Sequence, residues 1–430
     1  MDNNKLIIFN QNNLPERVSN TLMITEKLIG SSDRELVLEI LKNNRNLFIN
    51  LISNFYSLSE KLISRYINDL DWSIIPKNRN IYWSTELIDT FEFKLKSKKH
   101  YSGGLFFNKS FPWNSEYFDY YTNKFGWLAI SDSHALPWSI NFINKYIDKW
   151  NWYELSRNES LPWSFELIEK FETKWHWDRS MQFFATSSKD GLSTNEALPW
   201  SMLLFFEFKN NWDWQGLCEN NKFPWSLEFI EKNLDNIHWE ELSINESVPW
   251  TVEFIEKYKN DLCWHWIWGN NSLPWSVDFY NKYIDKINYE SLSKNNCLPW
   301  IWTIPFIEKH KMKIDWNFLS SNTSIPFNLE LIEKFQDKWN WRLLSQNESI
   351  NWNNELIDKF HDKWRWDGYW GFSNNNSLPW SIEFIKKYNE KFGKYTSDIS
   401  KSSTPLWKTL EPFIDEELIN EVFEHIKLKN

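Results

Sequence analysis

The sequence predicts an all-α fold: an α-solenoid of short helical hairpins with a 25-residue repeat and helical caps at both ends. Three observations predict it. Tryptophan returns at a fixed interval, at Trp83, Trp113, Trp138, Trp163, Trp200, Trp225, Trp250, Trp275, Trp300, Trp352 and Trp380, with Phe327 standing in once. Within each period the apolar residues fall at helical spacing. Each period also carries its own helix-start and turn signals. A period in this range marks units that bury their apolar faces only against their neighbours.

Counting the marker Trp as position 0, Pro precedes it in most copies and Ser or Thr follows, as in Pro162-Trp163-Ser164 and Pro249-Trp250-Thr251. An acid recurs at position 3 (Glu166, Glu228, Glu253, Glu330), and a hydroxyl followed by an acid favours the exposed N–H groups of a helix start. Lysine follows at position 7 (Lys170, Lys232, Lys257, Lys334), the favourable orientation for an i,i+4 pair with that acid. Apolar residues at positions 0, 4, 5, 8 and 12 form a broad helical stripe, as in Trp163, Leu167, Ile168, Phe171 and Trp175. A second Trp at position 14 and a Leu three residues later predict a short second helix, antiparallel to the first. Asparagine closes the unit five residues before the next marker (Asn158, Asn195, Asn245, Asn347), with Ser133 the exception. Its tolerance of left-handed backbone suits a turn there.

The phase extends back to Leu58, and the 300 unit is better phased from Trp302, which puts Pro305 in a first turn. Three domains follow: an N-terminal helical cap over 1–55, the repeats over 56–400 and a C-terminal helical cap over 401–430. Together they predict one elongated body.

The pattern Asn-x-Ser-Leu-Pro-Trp-Ser-x-Glu-Phe-Ile-Glu-Lys-Tyr, followed by Trp-x-Trp and Leu-Ser, resembles the Trp-rich repeats in hypothetical proteins of giant DNA viruses and some bacteria. The resemblance spans Leu58 to Phe392 and implies a helical repeat fold with no known activity. It leaves host-cell or viral origin open.

Composition narrows the function classes. With 42% hydrophobic and 25% charged residues the chain is neither disordered nor a membrane protein. No signal-peptide core or spanning segment is visible, which points to the cytoplasm. Net charge of −10 argues against nucleic acid, and three scattered cysteines argue against a disulfide framework. Ten glycines leave little for phosphate-cradling loops, and no GxSxG, HExxH or P-loop occurs. His176, Asp213, His238 and Cys263 recur in one slot, but neighbouring helices stand about 8–10 Å apart, so such a row does not converge on a metal. No catalytic residue, metal or cofactor is therefore expected.

The expected function is a non-enzymatic scaffold for protein–protein interaction. The alternatives are glycan or small-ligand binding through irregular aromatics, or self-association into a structural assembly. The candidate binding residues are those outside the register: Met181, Phe183 and Phe184 in a 12-residue insertion, and Trp266, Trp268, Tyr369 and Trp370 where the Leu-Ser pair is missing.

Overall fold

The computed structural model describes residues 32–95, 108–111, 113, 118–119, 122, 127–178, 191–366, 371–392 and 405–429. Among these, every regular element is helical and no strand occurs.

The Trp163 segment shows how the sequence builds a unit. Trp163 N–H closes onto Leu161 O at 2.8 Å, a three-residue turn centred on Pro162, whose fixed φ suits it. Ser164 then caps the helix Phe165–Lys170, its hydroxyl accepting from Leu167 N–H. The same capping bond recurs from Ser139, Ser201, Ser226, Thr251, Ser276 and Ser381, and from Asn328 and Asn353. The 302 phase also holds: Thr303 caps Ile304–His310, with Pro305 in the first turn.

The first helix is shorter than its apolar stripe. It ends at position 7, and the position-8 aromatic leaves helical geometry, Phe171 having φ −118° and ψ 24°. The stop does not depend on the residue at position 12, since Leu227–Lys232, Val252–Lys257 and Val277–Lys282 end at position 7 too, with Ile237, Leu262 and Ile287 in that slot. The indole of Trp175 at position 12 donates to Ile168 O at 3.1 Å, and Trp150, Trp212, Trp339 and Trp364 do the same seven residues back. Each satisfies a carbonyl that the ended helix leaves orphaned. The position-14 indoles donate five residues back, as from Trp152 to Ile147 O and Trp341 to Gln336 O. The marker indoles of Trp163, Trp200, Trp250, Trp275, Trp352 and Trp380 donate to the carbonyl of the closing Asn, as from Trp163 to Asn158 O at 3.0 Å.

Two side chains lock each unit to the one before it. Asn245 Nδ2 donates to Cys218 O (2.8 Å) and Asn220 O (3.1 Å), 27 and 25 residues back, while its Oδ1 accepts from Ser247 N. Asn158, Asn270 and Asn347 repeat the pattern. These residues are buried with extended backbone, Asn245 having φ −66° and ψ 119°, so the left-handed turn expected of them gives way to a clamp between units. The second lock is the Ser of Leu-Ser. Ser156 donates to Trp152 O and accepts from His176 N, and Ser243, Ser320 and Ser345 bridge in the same way.

The lysines also differ from expectation. Glu228–Lys232 is paired within its helix, but Lys257, Lys282, Lys359 and Lys387 reach instead to Glu231, Glu256, Glu333 and Asp358 of the preceding unit. The position-8 tyrosines do likewise, Tyr146 reaching Asp119 and Tyr283 reaching Glu256. Hydrogen bonds from Lys259, Lys282 and Tyr283 hold the Glu256 carboxyl down at about 2.

The two predicted caps do not stand at opposite tips. The N-terminal helices, 32–43 and Arg45–Phe55, pack against the C-terminal pair Pro405–Leu410 and Glu416–Lys429. Phe423 stacks on Tyr66 (centroids 3.9 Å) and meets Phe48 edge-on, while Phe55 stacks on Trp407. Tyr66 O–H bonds Asn420 at 2.6 Å, the bond that Tyr146 and Tyr283 make to the unit before theirs. The helix Glu416–Lys429 thus sits where the first helix of a unit preceding Leu58 would sit. Asn44 donates to Asn389 O and Phe392 O, and Arg34–Asp415, Lys42–Glu421 and Arg65–Glu424 rim the seam.

Candidate functional site

The bonding between units is unequal on the two sides of the stack. Second helices are joined by short side chains acting directly on backbone, through the Ser and Asn locks. First helices are bridged by the long arms of Lys and Tyr and by ring contacts such as Phe118–Phe142 and Phe205–Phe229. Close backbone approach follows the same division: Trp214–Glu219 lies against Trp239–Ile244, the latter against Trp264–Ile267, and Trp316–Ser321 against Trp341–Gln346. At Gly216 a Cβ would come within 2.9 Å of Ser193 Cβ, so glycine relieves that approach. The second helices thus form the more closely packed side of the stack.

Positions 17 and 18 of each second helix are buried (Leu242 and Ser243, Leu319 and Ser320). Positions 15, 16 and 19 share the opposite side of the helix. Most hold polar residues, but one stretch differs. Trp266 at position 16 is half-buried, donates its indole N–H to Glu240 Oε1 at 3.1 Å, and meets the His265 ring edge-on at 4.5 Å. Lys294 Nζ lies 5.2 Å from the Trp266 ring centre and 3.9 Å from that of Phe318. His265 Nδ1 is 2.8 Å from Asn288 Nδ2. Four consecutive units therefore contribute Glu240, Trp266, Lys294 and Phe318 to one cluster. A lysine ammonium between two ring faces is an attractive contact whose strength grows as water is excluded.

The predicted site residues fare differently. Trp266 lies in this cluster. Trp268 does not: it is 0% exposed and donates its indole N–H to Lys286 O at 2.9 Å, so it belongs to the core rather than to a binding surface. The missing Leu-Ser pair explains this, since Ile267-Trp268 fills the buried positions 17 and 18, where units such as those of Trp138, Trp225 and Phe327 carry Leu-Ser. Met181, Phe183, Phe184, Tyr369 and Trp370 lie outside the described residues. Lys294, Phe318 and Glu240 were missed, although position 16 carried a signal. It holds an aromatic in just two units, those of Trp250 and Trp302, among the units that retain the position-14 aromatic.

The slot holding Asp213, His238 and Cys263 stands at the entrance of successive second helices. Asp213 accepts from Gln215 N and Gly216 N there, which is capping. Among the described residues no group of three His, Cys, Asp or Glu is placed to hold a metal ion. None of their helices is long and apolar enough to cross a membrane. A cavity of about 770 Å³ opens at the seam, lined by Glu39, Asp358, His361, Lys387, Tyr388 and Lys391 among others. Its lysines are already paired, Lys387 with Asp358 and Lys391 with Asp362. No protein-family profile, curated protein or solved structure matches the chain.

Proposed function

We propose that this protein is a non-enzymatic scaffold, a closed α-solenoid of helical hairpins whose second-helix face binds another protein. The carrying observation is the seam, where Tyr66 bonds Asn420 in the manner of one unit to the next. With the ends engaged, the second-helix faces of the described units present one side for extended contact. Solenoids use such surfaces for extended contacts, and aromatic and charged anchors dominate their energetics. The same seam weighs against self-association by end-to-end stacking, because among the described residues the terminal helices are engaged with each other. Glycan binding through Trp268 loses its residue to the core.

A pull-down from source lysate with nuclease-treated controls tests the reading. One stoichiometric protein, cross-linked to positions 15, 16 or 19 of the second helices, is the expected result. Recovery of the bait alone, or cross-links only to the first helices, would count against it.

A further inference from the structure

We propose that Trp266 and Phe318 form a recognition site for an arginine side chain of a basic peptide segment, and that Lys294 occupies this site in the free protein. The proposal rests on the scaffold reading and names the chemistry of its partner. Three observations carry it. A cation is already seated between the two rings, at 5.2 and 3.9 Å from their centres, which gives the geometry an incoming cation would adopt. A carboxylate is fixed at the rim, since Glu240 accepts the Trp266 indole N–H. Finally, the partner must be positive: Glu290 lies exposed at position 15 between these units, and the chain carries a formal charge of −10.

Arginine fits this arrangement better than a second lysine. Its guanidinium is planar, sheds water more readily than an ammonium, stacks on aromatic faces and presents a fork to carboxylates. Lys294 is held on a flexible four-carbon arm and can swing away. Its occupancy lowers apparent affinity by the fraction of time it fills the site.

Titration calorimetry with a synthetic Arg-rich peptide at physiological salt tests this. Trp266→Ala and Phe318→Ala should each weaken binding about five- to thirty-fold, the range for a partly desolvated cation–π contact. Lys294→Ala should tighten it about two- to five-fold by removing the internal competitor. Lys286→Ala removes the same charge from the ring of Trp264 and serves as the control; it should leave binding unchanged. Equal tightening in both lysine variants would reduce the effect to net charge and overturn the proposal. The gain expected of Lys294→Ala is a result that misfolding cannot imitate. A partner captured from lysate that is retained by Trp266→Ala and Phe318→Ala would sink this inference while leaving the scaffold reading standing.

Discussion

Replacing Phe423 with alanine should open the seam between the two ends of the chain. Phe423 is 1% exposed, stacked on Tyr66 and edge-on to Phe48. Truncating a buried Phe costs about 3–5 kcal/mol, and part of that is aromatic contact beyond simple burial. The ion pairs at the rim are weaker holds. Lys42–Glu421 and Arg65–Glu424 leave 25–52% of their side-chain surface in water, and exposed pairs contribute about 0–1 kcal/mol each. The apolar contact therefore dominates. In a repeat protein the interface between two units is the natural line of failure, so the loss should appear as separation of the ends before the middle units melt. Small-angle scattering should report a larger radius for Phe423→Ala than for the parent, and urea unfolding should start earlier. Lys42→Ala should leave both nearly unchanged. Raising salt from about 0.1 to about 1 M, which screens surface pairs, should do little to the parent. If Phe423→Ala keeps the parent's radius and midpoint, or if salt alone separates the ends, the reasoning is wrong.

The clamp asparagines give a second test. Asn245→Ala strips donors from two buried carbonyls and should cost about 2–4 kcal/mol in denaturant unfolding. Isosteric Asn245→Asp should cost at least as much, because a carboxylate would then face two carbonyl oxygens. Trp339→Phe keeps a ring but loses the bond to Ile332 O, and a drop of about 1–3 kcal/mol is expected; no drop would show that shape alone selects Trp. Burial pushes the Cys218 thiol up to about 12, whereas Cys297 is exposed. Thiol alkylation of the folded protein near neutral pH should therefore mark Cys297 and spare Cys218. Because the folded thiol titrates above its unfolded value of 9.0, its contribution to stability should be intact below pH 9 and decline as pH rises toward 12. Cys218→Ser should flatten that decline.

What the sequence made legible is what repeats. The Ser or Thr cap, the short second helix and the 302 phase all follow from local chemistry. The stripe suggests a first helix reaching position 12, because apolar spacing does not show that the chain turns after position 7 and packs the position-12 residue back, as Trp175 does through Ile168 O. Lysine was assigned to its own helix because i,i+4 spacing is visible in one unit, while the acid it reaches lies 26 residues away. Asn158 was given a turn for the same reason, its clamp partners lying one unit off. The seam was out of reach because Tyr66, Trp407 and Phe423 share no period, and a period says nothing about curvature. Trp268 reads as an outlier in the sequence, whereas in the fold it substitutes for a missing Leu-Ser pair.

The engagement of the two ends sets a rule on how this chain can change length. An open rod can gain or lose a whole unit and merely become longer or shorter. Here a gained unit would push Tyr66 and Phe423 apart by a helix-to-helix spacing, about 8–10 Å, unless every other joint bent to compensate. Growth by duplication is thus penalised at one place far from the duplication itself. Loop insertions, such as the 12 extra residues between Trp163 and Trp200, leave the number of units unchanged and escape that penalty.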